Sequence, residues 1–205
     1  MKLWKSMQKG MKSSNGNVKW KIGQWQHEDK ISMCNSGFHA SKRIIDAMGF
    51  VNMEVLAEVE VKGKSDKQDD KQVWSDMRIL RAWEWTKKDS VALSIFSAEL
   101  CLKNFEKVYP DDKRPRQAIE AAKKWLKNPT KKNQLAAGSA AESAAWSAAE
   151  SAAWSAVKSA AWSAAESAAG SAAKSAAWSA EGSDKLLKVI EKWIIKRIPE
   201  LKEIK

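Results

Sequence analysis

Cysteine and histidine are almost missing from this chain of 205 residues, which has two of each. Cys34, Cys101, His27 and His39 match no zinc-ligand spacing, so neither a metal centre nor any other cofactor is expected. Two cysteines this far apart read as free thiols in a reducing compartment. No Gly-rich phosphate loop and no Gly-x-Ser-x-Gly elbow occurs, which removes the common signatures of nucleotide hydrolysis and serine hydrolysis. No uninterrupted apolar run approaches a membrane span, and the opening Met1-Lys-Leu-Trp-Lys-Ser lacks the apolar core of a leader, so a cytoplasmic protein without membrane contact is expected.

Positive charge is what the chain has in excess: 36 Lys and Arg against 25 Asp and Glu, a net +11. The excess is spread evenly along the chain, so no segment reads as a nucleic-acid-binding arm. Low-complexity sequence is the second abundance. From Ser139 to Ala180 the tetrad Ser-Ala-Ala-X repeats ten times, broken only by Val157, with Trp146, Trp154, Trp162 and Trp178 among the X positions. Ala and Ser predict helix. A period of four turns X by about 40° per tetrad relative to 3.6 residues per turn, so no flat partner could cover all four tryptophans of one straight helix. At least two shorter helices folded on each other are expected, with Trp154 and Trp162 as space-fillers or as stacking and docking groups.

Residues 1–88 read as a small α+β domain with a mixed sheet, and residues 89–205 as an all-α, Ala/Ser/Trp-rich helical bundle containing the repeat. Leu3 to Met7 is a candidate edge strand. Val18 to Ile22 alternates as a half-buried strand should, and Ser41 is a candidate cap for a helix that follows it. Val51 to Val61 is the strongest strand pattern, ended by Gly63 and followed by a charged loop from Lys64 to Lys71; Val73 to Trp85 supplies the last strand. Beyond residue 90 no strand is expected. Ser90 caps a helix to Val108 with Leu93, Phe96 and Leu100 on one face and Phe105 further round. Arg116 to Lys127 follows with Ile119, Ala122 and Trp125 on one face, and a final helix through Leu187, Ile190, Trp193, Ile194 and Ile198 is disturbed at Pro199, ahead of a charged, frayed tail.

His39, at a turn before a helix, and nearby Arg43 are candidates for binding an anion; a lone His is more often a structural hydrogen-bonder. His27 reads as a solvated loop residue. The densest basic cluster contains Lys113, Arg114, Arg116, Lys123, Lys124, Lys127, Lys131 and Lys132, opposed within its span only by Glu120, and reads either as a phosphate grip or as a solvated face.

Two resemblances extend this reading. Ala98-Glu-Leu-Cys-Leu, the run Phe105-Glu-Lys-Val-Tyr-Pro-Asp-Asp-Lys-Arg-Pro-Arg-Gln-Ala-Ile-Glu-Ala, the Ala-rich helices and the closing Glu191-Lys-Trp193 resemble the helical immunity-protein family of polymorphic-toxin systems over roughly residues 91–200. The first 86 residues, with Cys34-x-x-Gly-Phe-His-Ala, Ile45-Asp-Ala and Val59-Glu-Val-x-Gly, are similar to a small uncharacterised domain of phage proteins. These imply a non-enzymatic binding protein of phage or mobile-element type, acting in the host-cell cytoplasm. Its partner would be a toxin or defence protein, or a small anionic, nucleotide-like ligand; homo-oligomerisation stays open. Two alternatives remain. The Gly-Phe-His-Ala-Ser turn resembles that of ADP-ribosyltransferase-like folds, which implies an enzyme using His39, Ser41 and Glu84. The basic cluster offers nucleic-acid binding, which is the less favoured reading.

Overall fold

A computed structural model describes residues 1–14, 18–49, 53–146 and 183–205. The chain divides into two compact units, Met1–Trp85 with Ile194–Lys205, and Thr86–Trp193.

The first unit is built on an antiparallel sheet, and helices follow it in the chain, so the fold is α+β. Strand β1 (Lys2–Met7) pairs with β4 (Val55–Lys67), and β4 pairs with β5 (Gln72–Glu84). The short strands β2 (Gln26–His27), β3 (Phe38–Ala40) and β6 (Glu203–Ile204) all lie antiparallel against β5. Along β4 the period of two buries Val55, Ala57, Val59 and Val61 with Leu3 and Met7 of β1 and Met77 and Ile79 of β5. On the opposite face Glu60 lies across from Arg78 and accepts from its Nε at 2.7 Å, the cross-strand pairing a half-solvated face favours.

Several strand expectations are corrected. Gly63 does not end β4; it sits at φ +81° in a bulge between Lys62 and Ser65, and the strand continues to Lys67 through residues expected as loop. A Cβ there would lie 2.2 Å from Ser75 Oγ, so the position needs glycine for space as well as for conformation. Val18 to Ile22 forms only isolated bridges, Lys19 with Lys12 and Ile22 with Ile79, while Trp20 is driven into the core against Phe38. Ser41 caps nothing. It exchanges backbone hydrogen bonds with Trp4, and the four-residue helix α1 (Ile44–Ala47) begins after Arg43 with no side-chain cap. The C-terminal residues are not frayed, because β6 registers Ile204 against Ala82 and Glu203 against Trp83.

In the second unit, α2 (Lys87–Val108) starts at Thr86 rather than at Ser90: Thr86 and Asp89 form a reciprocal capping box, and Ser90 is buried in the first turn. The α2 residues in the unit's core cluster are Val91, Ile95, Ala98, Cys101, Leu102 and Phe105; of the expected stripe Leu93 is buried, while Phe96 and Leu100 are only partly so. The helix is apolar on more than one side, so spacing alone does not single out the packed face. Phe96 instead stacks on Trp193 of α5 (Ser183–Arg197), ring centroids 5.3 Å apart. Helix α3 (Arg114–Lys127) carries Pro115 in its first turn and buries Ala118, Ile119, Ala122 and Trp125 at helical spacing. The connection 128–130 leads to α4 (Lys131–Trp146), whose Ala137 joins the same core. The first two tetrads of the repeat are thus helical; the rest, including Trp154, Trp162 and the expected fold-back, lies outside the described residues.

Candidate functional site

The segment from Cys34 to Ser41 is shaped by backbone that few residue types tolerate. Cys34 sits at φ +66° and Gly37 at φ +89°, and a Cβ on Gly37 would meet Val73 Cγ2 at 2.7 Å. Immediately after this tight turn, Phe38–Ala40 pairs with Gln72–Trp74 of β5, which fixes His39 opposite Val73.

His39 is held at two points, and Cys34, which holds its ring, is itself held by Lys71. The Cys34 backbone N–H donates to its Nε2 at 2.9 Å, Lys5 Nζ donates to its carbonyl oxygen at 2.9 Å, and Lys71 Nζ donates to Cys34 Sγ at 2.9 Å. A backbone N–H can only donate, so Nε2 must be the unprotonated nitrogen of a neutral ring. Burial, and then the positive charges of Lys5 and Lys71, hold the His39 pKa below its ordinary value against an opposing hydrogen bond to the Gly37 backbone. With Nε2 committed to Cys34, the ring is spent on holding the turn and has no acceptor left for a substrate proton in this geometry.

Around this turn opens a cavity of about 530 Å³. Trp4, Val18, Phe38 and Ala40 supply apolar wall, while Lys5, Lys71, Glu28, Cys34, Ser41 and His39 supply polar and ionisable groups. Lys5, which sequence reading did not single out, is the residue that burial affects most: its ammonium is pushed down to about 8 by desolvation. The only signal for it was its position on an alternating strand, where a Lys turned toward the interior is unusual.

The remaining candidates are scattered. Ser41 reaches the same cavity, but Glu84 lies on β5 eleven residues beyond Val73, roughly 30 Å or more along an extended strand. There it accepts from Lys202 Nζ at 2.8 Å. Thus His39, Ser41 and Glu84 are not brought together. Arg43 precedes α1 and does not line the cavity.

Three members of the basic cluster, Arg114, Arg116 and Lys123, are answered by carboxylates. Arg114 makes two hydrogen bonds to Asp112, Arg116 makes two to Glu106 of α2, and Lys123 pairs with Glu120 and Glu99. Sequence spacing hid this, because Glu99 and Glu106 come from a different helix. Lys124, Lys127, Lys131 and Lys132 stay exposed and make no ion pair among the described residues. The short connection between α3 and α4 keeps these four close along the chain.

A further cluster was missed. His27, expected as solvated loop, lies on β2 with Nδ1 2.9 Å from Asp76 Oδ1 and Nε2 3.0 Å from Asp29 Oδ1. Both hydrogen bonds raise its pKa, Asp29 contributing most. Among the described residues no group of His, Cys, Asp and Glu is placed to hold a metal ion, and no helix is long and apolar enough to cross a membrane.

Residues 82–192 match the family described as Imm-5 like putative immunity protein. The chain belongs to that family. The match covers α2, α3, α4 and most of α5, the elements that carry the Tyr109-Pro-Asp-Asp run and the basic corner. Residues 1–89 match a domain of unknown function, DUF7666, which takes in the sheet through β5 and the cavity beside His39. The immunity-family match overlaps the end of the DUF7666 match at residues 82–89 and is followed by β6, which pairs with β5 of the first unit's sheet. Neither a curated protein nor a solved structure matches the chain.

Proposed function

We propose that this chain neutralises a toxin protein by binding it through the helical unit. The family match over residues 82–192 carries the reading. On this reading the protein works as a stoichiometric binder in the cytoplasm without chemistry of its own. The contact surface includes the corner formed by Lys124, Lys127, Lys131 and Lys132, which adjoins the exposed Leu135 of α4. Four ammonium groups with no carboxylate partner among the described residues, beside an exposed apolar residue, suit an acidic patch with a small apolar centre. Such charge complementarity acts mainly on the rate of association and on the choice of partner.

The test is co-expression with candidate toxins, followed by affinity measurement on the pair that restores growth. Replacing Lys124, Lys127, Lys131 and Lys132 together by Glu should abolish rescue and weaken binding by tenfold or more, with the fold retained. Rescue that survives deletion of the immunity-family region, or no rescue with any candidate toxin, would overturn the proposal.

A further inference from the structure

We propose that the cavity beside His39 is a binding site for a small molecule bearing a phosphate or carboxylate group, with the Lys5 ammonium as its counter-charge. Every residue that lines this cavity belongs to the first unit, so the inference stands apart from toxin binding by the helices.

Lys5 presents the central observation. It projects from β1 toward the interior, donates to the His39 carbonyl, and lies 5.6 Å from the ring centroid of Trp20, yet it forms no ion pair with a carboxylate among the described residues. A desolvated ammonium without a counter-ion is an unfavourable arrangement that a bound anion relieves. A second cation, Lys71, lines the same cavity. Lys71 comes from the turn between β4 and β5, His39 from β3 is neutral, and Cys34 is hydrogen-bonded by Lys71. Glu28, the one carboxylate at the cavity wall, has only a 3.5 Å contact from the Lys30 N–H and leaves Lys5 unanswered. The Ser14 hydroxyl, also at the wall, is buried without a partner among the described residues and offers a further donor to an anion.

Size and lining restrict the ligand. A volume of about 530 Å³ falls within the range of small-molecule pockets and is far larger than a bare ion requires. The acidic group would sit between Lys5 and Lys71, and the remainder of the molecule would lie along Trp4, Val18 and Phe38.

Calorimetry on the full chain with AMP, adenosine, inorganic phosphate and succinate tests this. AMP or succinate should bind, adenosine should not, and the ratio of the first two tells a phosphate site from a carboxylate site. Lys5→Met should reduce affinity for the ligand that binds by at least tenfold while the exposed control Lys19→Met does not. The wild type supplies a second measurement should Lys5→Met fail to fold: between pH 8 and 9.5 AMP and succinate keep a constant charge, so affinity should fall as the Lys5 ammonium loses its proton, and binding near pH 8 should take up protons. Equal binding of adenosine, unchanged affinity in Lys5→Met, a pH-independent affinity, or no binding of any anion at millimolar concentration would each overturn the proposal.

Discussion

The backbone N–H of Cys34 donates to Nε2 of His39 at 2.9 Å, and this one bond makes the turn sensitive to acid. Protonating His39 would turn its only acceptor nitrogen into a donor facing another donor. The ring is already held below its ordinary pKa by burial and by Lys5 and Lys71. A depressed histidine contributes stability that is present above the unfolded value of about 6.5 and is lost as pH falls through the folded value, because below 6.5 the unfolded chain takes up the proton first. Thermal melts of the wild type should therefore lose ground to His39→Gln as pH falls from 7 to 5, since the Gln carbonyl can accept the same bond without titrating. Parallel curves for the two proteins across that range would show that His39 does not titrate with unfolding.

His27 should behave in the opposite sense. Its hydrogen bonds to Asp29 and Asp76 raise its pKa, so its contribution is complete below about 6.5 and fades as pH rises through the raised folded value. The chain has only two histidines, so a proton NMR titration should resolve two imidazole signals, with His27 titrating above 6.5 and His39 below it. His27→Gln should leave the His39 signal where it was. Midpoints in the reverse order would refute both assignments.

These two histidines also mark how much could be read without coordinates. The strands β1, β4 and β5 and the face of α3 were legible because period-two and period-3.6 patterns are strong there. The start of α2 is legible too, since Thr86-Lys-Lys-Asp89 spells a capping box, but Ser90 lies nearer the apolar run and competes with it as a cap. Continuation of β4 past Gly63 was not legible, because a glycine in a charged stretch reads as a stop unless the bulge that needs it is seen. The setting of Lys5 depended on a contact with His39, 34 residues away, and the pairing of Arg116 with Glu106 on two helices meeting. Neither leaves a local trace.

Gly37 and Gly63 should tolerate no side chain. Both lie at positive φ, and a Cβ would fall 2.7 Å from Val73 at the first and 2.2 Å from Ser75 at the second. The left-handed conformation alone costs a non-glycine residue about 1–2 kcal/mol, and the contacts add to it. At Gly63 the nearest atom belongs to a short Ser side chain that also accepts from the Lys64 N–H, so it cannot swing away without breaking that bond. Gly63→Ala and Gly37→Ala should each lower the midpoint of urea unfolding, whereas Gly10→Ala, with nothing within 4 Å, should meet only the conformational cost. Equal losses at all three positions would mean that the close contacts relax freely.

The C-terminal strand offers the sharpest test of how the sheet is completed. Residues after Leu201 lie beyond the immunity-family match, yet Ile204 and Glu203 pair with Ala82 and Trp83, and the Glu84 N–H donates to the Lys202 carbonyl at 2.9 Å. Arg81 adds two hydrogen bonds to the Glu203 carboxylate, at 2.8 and 2.9 Å. Ion pairs exposed to this degree contribute little, so Glu203→Gln should scarcely change the melting temperature. Deleting residues 201–205 is different, because it uncovers a length of β5 that includes the buried Ala82 and Trp83 and removes backbone hydrogen bonds, each contributing about 0.5–1.5 kcal/mol. Hydrogen exchange should then quicken at the Glu84 amide, whose acceptor has been removed, while amides in the middle of α3 keep wild-type protection. Unchanged protection of the Glu84 amide after the deletion would mean that β6 is dispensable and that the sheet is complete at β5.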